Sequence, residues 1–387
     1  MTTSLQILGT ADRRLWMEVL STVAQHDVYH LPGYHEAAEQ AGEGTARLLV
    51  FREAGYSIAL PVLVRPCGEI DGLEGVPSDD ATSVYGYAGP VSSHEDPPAP
   101  VVESFHAALR ESLAELRVVA LFARLHPLLP QDRLIAGLGV TAPTGTTVSI
   151  DLTQPPDAQV GAYRQNHRDG IRKLRRLGAQ CLPDTDPAAM DEFVRIYHET
   201  MRRVDADPYY LFDRTYFVHL ADLLAPALHL FTCRLDDEII GGGLFFACRG
   251  LVQYHLGGTR TEYLGLAPMK LLFDSVREWA VERGMSVFHL GGGVGGREDS
   301  LFHFKAGFSS RRHPFATWRW IIDPERYQEL TDRKASWNTR HGVTCASSEF
   351  FPAYRCPTVP VDPPPEPMRQ GVPCETHETR ETDEDGR

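Results

Sequence analysis

The same order of hydrophobic and polar stretches occurs in both halves of this chain. A run starting at Leu48, LLVFREAGYSIALPVLV, places β-branched and aromatic residues on either side of Glu-Ala-Gly. A run starting at Leu230, LFTCRLDDEIIGGGLFF, does the same around Asp-Asp-Glu. Strand-type residues broken by a short polar turn predict a β-hairpin in each half. Ahead of the hairpins stand two similar motifs, Asp27-Val28-Tyr29-His30-Leu31 and Asp207-Pro208-Tyr209-Tyr210-Leu211. Each motif leads into an aromatic-bearing helical stretch, around Tyr34 and Tyr216 respectively. After each hairpin comes a strand ending in tyrosine and glycine, at 83–89 and 253–258. An amphipathic helix comes next at about 102–116 and 268–284, then a further strand at 118–125 and 286–290. The order helix, hairpin, strand, helix, strand thus appears twice, the signature of a duplicated unit. Mixed strands with helices on the sheet faces predict an α/β (α+β) domain with a central mixed sheet in each half.

Length agrees with this division. At roughly 150 residues per domain, 387 residues suit two. We expect an N-terminal domain over 1–150 and a C-terminal domain over 151–350. From about Cys356 the apolar periodicity stops and Pro, Glu and Thr dominate, so 357–387 is expected to be a disordered acidic, proline-rich tail. No run approaches the ~18–20 continuous apolar residues of a membrane span. The N-terminus has no basic segment followed by an apolar run, so a cytoplasmic protein is expected. The seven cysteines are odd in number and none forms CxxC, which predicts reduced, buried thiols and no metal site. The formal net charge is −14, of which 361–387, with eight acids and three arginines, supplies −5. Such a balance argues against DNA or non-specific nucleic-acid binding, while leaving room for a local basic groove.

Candidate chemistry concentrates in the second half. A predicted strand at 286–290 runs into Gly291-Gly292-Gly293-Val294-Gly295-Gly296, then Arg297-Glu298-Asp299-Ser300-Leu301 and Phe304-Lys305-Ala306-Gly307-Phe308. Gly291, Gly293 and Gly296 satisfy GxGxxG literally. The next residues are Arg-Glu-Asp-Ser-Leu, not the glycine-packed helix of a βαβ unit, so a dinucleotide site is rejected. Glycines let a backbone approach a ligand closely. Lys305 lies between Phe304 and Phe308, and an ammonium resists burial unless something there uses its charge. Residues 163–178 read as a helix with Tyr163, His167, Ile171 and Leu174 on one face and Arg164, Arg168, Arg172 and Arg175 on another. Six cations and one acid fall within 164–176, a candidate phosphate-binding stripe in an acidic protein. A third cluster, Arg202, Arg203, Tyr209 and Tyr210, offers guanidinium forks and aromatic faces at a helix end.

These segments together resemble the Fem-like family, tandem acetyltransferase-like (GNAT) proteins that include the peptidoglycan-bridge aminoacyltransferases. The resemblance rests on the glycine turn, Asp299-Ser300-Leu301 and Phe304-Lys305-Ala306-Gly307-Phe308. It extends through 163–178, the 198–203 run and Tyr209-Tyr210, and more loosely through 27–34 and 85–90. It implies two tandem GNAT-like domains and an acyltransferase whose Lys305 stabilises the developing oxyanion, with Phe304 and Asp299 beside it. A preorganised charge of that kind contributes ~3–4 kcal/mol to a transition state. It further implies an acceptor groove lined by Arg203, Tyr209, Tyr210, Tyr254 and His255. The basic stripe Arg164, Arg168 and Arg172 would then meet tRNA or a phosphorylated acceptor.

The resemblance implies no bound cofactor, because the acyl donor is a co-substrate. Ordinary GNAT enzymes hold the CoA pyrophosphate with (Arg/Gln)-x-x-Gly-x-(Gly/Ala) at a helix start. The corresponding stretch here runs from Glu262 to Pro268. Gly265 and Ala267 fit it, but Glu262 repels phosphate and Pro268 removes a donor. Aminoacyl-tRNA is therefore expected as donor, with a cell-wall precursor or small metabolite as amine acceptor. The alternatives are an acetyl-CoA-dependent N-acetyltransferase and a non-catalytic phosphate- or glycan-binding protein of the same fold. Asp299, Glu298 and His255 remain open as general bases.

Overall fold

The computed structural model describes residues 5–361, with the side chain of Tyr209 outside that description. Its strands are β1 (Gln6–Leu8), β2 (Thr45–Glu53), β3 (Tyr56–Pro66), β4 (Asp79–Thr82), β5 (Val91–Ser92), β6 (Val118–Arg124), β7 (Val140–Asp151), β8 (Gln180–Asp184), β9 (Leu228–Leu235), β10 (Glu238–Cys248), β11 (Leu251–Thr259), β12 (Val287–Gly291), β13 (Arg312–Ile321), β14 (Val343–Cys345) and β15 (Thr358–Pro360). The hairpins expected from the two runs are β2–β3 and β9–β10, both antiparallel.

One element order is used twice. In the first half β1 leads to helices Arg13–Thr22 and Pro32–Gln40, then β2, β3, β4, helix Ala99–Glu115, β6, helix Asp132–Ile135 and β7. In the second half β8 leads to helices Pro187–Arg203 and Arg214–Leu224, then β9, β10, β11, helix Met269–Glu282, β12, helix Ser300–Lys305 and β13. β4 with β6 and β11 with β12 are parallel, so each needs a crossover, which the intervening long helix supplies.

The two halves do not form separate sheets. A single 13-stranded sheet runs β1-β2-β3-β4-β6-β13-β7-β12-β11-β10-β9-β8, with β5 paired to β3. The closing strands are exchanged: β13 lies between β6 and β7, and β7 lies against β12. The expected boundary at 150/151 coincides with the end of β7, but the chain after 312 returns to the first half. Trp318 and Trp320 of β13, stacked at 5.9 Å, join Phe51, Phe105 and Leu121 in the first-half core. Helix Pro324–Arg340 also packs there, through Leu330 beside Cys67 and Tyr354.

Helices cover both faces of the second half. Helices Gln165–Arg176 and Met269–Glu282 enclose a core containing Ile171, Leu174, Phe273, Phe288 and Phe308. The other face carries Phe193, Tyr197 and Phe217. A further cluster joins Tyr29 and Tyr34 of the first half to Leu220 and Phe246 of the second, so apolar packing crosses the divide. Among the described residues no helix is long and apolar enough to cross a membrane.

Three expectations need correction. The first-half strand is β4 at Asp79–Thr82, not 83–89; the chain then bends at Gly86, whose φ of +113° is left-handed and whose Cα faces the Tyr29 ring. Cys345 and Cys356 form a disulfide rather than two thiols, while Cys67, Cys181, Cys233 and Cys248 are free and buried. The expected tail begins too early: β15 pairs with β14. Residues 362–387, including Cys374, lie outside the described residues.

Candidate functional site

The site forms where β11 and β12 separate. These parallel neighbours pair at Leu251↔Val287, Val252↔Phe288 and Gln253↔His289. Past the Gln253–His289 pair, β12 turns into the glycine loop while β11 continues to Thr259 beside β10. Tyr254 and His255 follow on one side of the opening, Leu290 and Gly291 on the other. β11 pairs Tyr254 with Phe245 and Leu256 with Leu244, leaving His255 as the extra residue of a bulge. A bulge re-aims side chains, so Tyr254 packs into the core of Phe245 and Phe273 while His255 faces Phe246, Tyr34 and Tyr85.

Lys305 reaches this opening from the end of helix Ser300–Lys305. Its Nζ donates to the Gly292 carbonyl at 2.6 Å and lies 5.3 Å from the Tyr254 ring centroid. Cation and aromatic face attract one another there. The side chain is buried, and burial lowers its pKa to about 7, with the Asp299 charge partly opposing the shift. An ammonium that close to neutrality is poised to lose or keep its proton with small changes in its surroundings.

Asp299 acts first as a helix cap. Its Oδ1 accepts from Phe302 N–H and its Oδ2 from Val294 N–H, both at 2.9 Å. Burial opposes its charge, but these donors and the Leu301 N–H outweigh it and hold the carboxyl below its ordinary value. Gly293 explains part of the glycine cluster: a Cβ there would collide with the Arg297 carbonyl oxygen and the Asp299 carboxylate. The loop makes a short 3-10 turn at Val294–Gly296 and no dinucleotide-type helix. Phe304 contributes packing, with its ring against Phe273 and Phe308 and its carbonyl accepting from His167.

The other expected residues divide between this opening and its surroundings. Tyr254 lies under Lys305, its phenol pKa raised by burial. His255 is pushed down to about 3 by burial and sits 3.5 Å from the Tyr216 hydroxyl. Tyr210 stacks edge-on against Tyr85, across the divide between the halves. Near them a crevice of about 20 Å³ is lined by Tyr34, Glu43, Tyr85, Phe212 and Tyr216. Arg203 is spent on structure, donating to the Thr259 carbonyl and the Thr261 and Thr200 hydroxyls.

The helix begins at Gln165, not at 163: His167, Ile171 and Leu174 form its buried face as the spacing predicts, and Tyr163 is buried from the turn that precedes it. Arg175 is bound by Asp274 and Glu278. Arg164 donates to the His303 carbonyl, Arg168 to the Gly161 carbonyl and Gln165, and Arg172 pairs with Asp169 at 3.5 Å. Gly265 and Ala267 do precede the N-terminus of helix Met269–Glu282, with Ala267 at φ +52°. A larger surface depression, about 500 Å³, lies beside Gly72, Glu329, Arg333 and Trp337 and contains none of the expected residues. Among the described residues no His, Cys, Asp and Glu cluster suits a metal ion.

Sequence reasoning missed a buried polar chain at the vertex of the opening. Asp27, fully buried, accepts at Oδ1 from Val28 N–H (2.7 Å) and at Oδ2 from His126 Nε2 (3.0 Å) and Gln253 Nε2 (2.6 Å). Gln253 Oε1 meets His289 Nδ1 at 2.6 Å. Tyr87 stands edge-on to His289 at 5.4 Å. Two of the four linked residues come from each half, and all four lie in separate segments of the chain, so no local spacing reveals them. The one available signal was Asp27 in the repeated motif. His289 Nε2 is buried with no partner among the described residues, a loss of about 1–3 kcal/mol unless something binds it.

Residues 161–305 match the family model for the acetyltransferase (GNAT) domain, covering both the basic helix and Lys305. Beyond that segment the fold matches the crystal structure of FemX with a TM-score of 0.65 at 12% identity, covering 84% of this chain and 99% of that one. The second half thus carries a GNAT domain, and the chain has the fold of FemX. A TM-score of 0.51 relates it to the C-terminal domain of a putative lysylphosphatidylglycerol synthetase from Agrobacterium fabrum, at 15% identity over 80% of this chain and 92% of that one. L-PGS from Bacillus licheniformis matches equally, 0.51 at 14% identity over the same shares. No curated protein sequence matches. At these identities the shared feature is the fold, so the roles of single residues rest on the geometry above.

Proposed function

We propose that this acyltransferase moves an aminoacyl group from aminoacyl-tRNA to an amine, with a cell-wall precursor or small metabolite as acceptor. The observation that carries the reading is Lys305, a buried ammonium standing in the opening between β11 and β12 of a GNAT domain. Attack on an ester carbonyl puts negative charge on its oxygen. A preorganised cation in a dry site stabilises that charge without reorganising. The remaining requirement is to hold amine and ester together, which a groove between two halves performs by position.

Two features favour an aminoacyl-tRNA donor. Glu262 stands where a phosphate would need Arg or Gln, and Pro268 at the helix start has no N–H. The exposed guanidinium of Arg172, with Arg168 nearby, offers charge to a nucleic-acid backbone. The fold is also that of FemX and of lysylphosphatidylglycerol synthetases. The rival acetyl-CoA reading is supported by Gly265 and Ala267 leading into helix Met269–Glu282.

The two are separated by incubating the protein with a lysine-bearing muropeptide precursor and either mixed labelled aminoacyl-tRNA or labelled acetyl-CoA. Transfer of label that RNase abolishes is the expected result. RNase-resistant transfer from acetyl-CoA alone would replace the tRNA reading with the rival one.

A further inference from the structure

The hydrogen bonds around Gln253 determine which nitrogen of His289 carries the proton. The Asp27 carboxylate only accepts, so the Gln253 amide turns its nitrogen toward it and its oxygen toward His289. That oxygen also only accepts. Nδ1 of His289 therefore bears the hydrogen, and Nε2 keeps its lone pair. His126 is set independently: its Nδ1 accepts from Leu128 N–H at 3.1 Å, so its Nε2–H donates to Asp27. His289 Nε2 is left as a buried acceptor with no donor among the described residues. Its residue belongs to the last pair before β11 and β12 separate, and Lys305 stands in that separation. His26, His30 and His35 also carry an unpartnered ring nitrogen, but they sit by the first-half helices, where Trp16 donates to the His30 carbonyl and packs against the His35 ring.

We propose that His289 is the proton acceptor of the transfer, its Nε2 receiving the N–H of the attacking amine. This rests on the acyl-transfer reading above. The amine lone pair forms the new C–N bond at the donor's carbonyl carbon, and the carbonyl π pair moves to the oxygen that faces Lys305. The amine proton passes to Nε2. Collapse restores the carbonyl and breaks the ester C–O bond, and the departing ribose oxygen takes the proton back from Nε2. Atoms and charge balance without a further reactant. During the step the imidazolium is held through Nδ1–H to Gln253 and on to the Asp27 carboxylate, a base oriented by a buried acid at one remove.

The groups facing His289 are Lys305 from helix Ser300–Lys305, His313 from β13, His126 and Tyr87 from the first half, and Asp27 through Gln253. Burial first, then His126, Lys305 and His313, hold its pKa well below the ordinary imidazole value. It is thus neutral and able to accept at pH 7. Access to Nε2 requires the loop at 291–296 to shift, a movement that its five glycines permit.

Two measurements test this. Two-bond nitrogen–proton spectra of the full chain labelled with 15N-histidine, recorded between pH 6 and 8, should show His289 as the Nδ1–H tautomer. An Nε2–H tautomer or an imidazolium overturns the proposal without any assay. His289→Gln keeps an acceptor atom but cannot take a proton. With aminoacyl-tRNA and the muropeptide acceptor, its kcat should fall ~100-fold with KM within about threefold, and the acid limb of kcat/KM should disappear. An unchanged kcat removes His289 from the chemistry while the transfer reading stands. Absence of transfer by the unsubstituted protein with either donor overturns the transfer reading, and the role of His289 with it.

Discussion

At the residue scale, the buried Lys305 predicts linked pH dependences of stability and activity. Its folded pKa of about 7 lies below the ordinary lysine value of 10.5, because burial disfavours the ammonium. Between those two values the unfolded chain binds more protons than the folded one, so this group's contribution to stability rises with pH across that window. Below pH 7 its full cost is present. Lys305→Met removes the buried charge, so its melting temperature should exceed that of the unsubstituted protein most at pH 6 and least at pH 10. A constant difference would mean that Lys305 is not desolvated. Activity should move the other way, falling as pH rises through about 7 and the ammonium is lost. Asp299 gives a second residue-scale test. Asn caps a helix as well as Asp does, whereas Ala costs about 0.5–2 kcal/mol. Asp299→Asn keeps an acceptor for Phe302 N–H but loses the one for Val294 N–H, so it should lower the melting temperature less than Asp299→Ala while retaining most activity. A large kcat loss in the Asn variant would give the carboxylate a chemical role beyond capping.

At the element scale, the most legible features were those written in local periodicity. The helix Gln165–Arg176 buries His167, Ile171 and Leu174, three of the four residues its spacing assigned to one face, because a 3.6-residue repeat leaves no other way to bury Ile171 and Leu174 together; Tyr163 is buried from the turn ahead of it. The fate of its arginines was not legible. Arg175 is neutralised by Asp274 and Glu278, about 100 residues away in the chain, and Arg203 by carbonyl and hydroxyl groups near Thr259. Arg172 remains exposed, with Arg168 half-buried one turn away. Replacing both with Ala should weaken tRNA binding several-fold in low salt, with a smaller effect at high salt, as counterion release requires. Binding loss independent of salt would show that these arginines contact no phosphate. The strand expected at 83–89 was misread for a related reason. Val84, Tyr85 and Tyr87 have strand-like composition, but Tyr87 leaves the sheet to pack against Tyr29, His126 and His289, contacts that no local pattern encodes.

At the scale of the whole molecule, duplication was visible in the repeated element order, but the exchange of β7 and β13 was not. Neither β7 nor β13 was expected from the sequence, and hydrophobic alternation is in any case silent on which neighbours a strand pairs with. That exchange makes each half complete the other. Residues 1–151 alone lack Trp318 and Trp320, whose loss from a core typically costs about 3–5 kcal/mol each. That fragment should show no cooperative unfolding, and the full chain should unfold in one transition seen alike by tryptophan fluorescence and circular dichroism. Independent folding of 1–151 would contradict the mutual dependence. The polar chain from Asp27 to His289 crosses the same divide, so the arrangement that joins the halves also orders the residues beside Lys305. The central claim is that the Lys305 ammonium stabilises the charge formed during acyl transfer. The most direct measurement compares single-turnover label transfer from aminoacyl-tRNA by the unsubstituted protein and by Lys305→Met at pH 6.5. The account predicts a rate ~100-fold lower in the variant with its fold intact. Equal rates would contradict it.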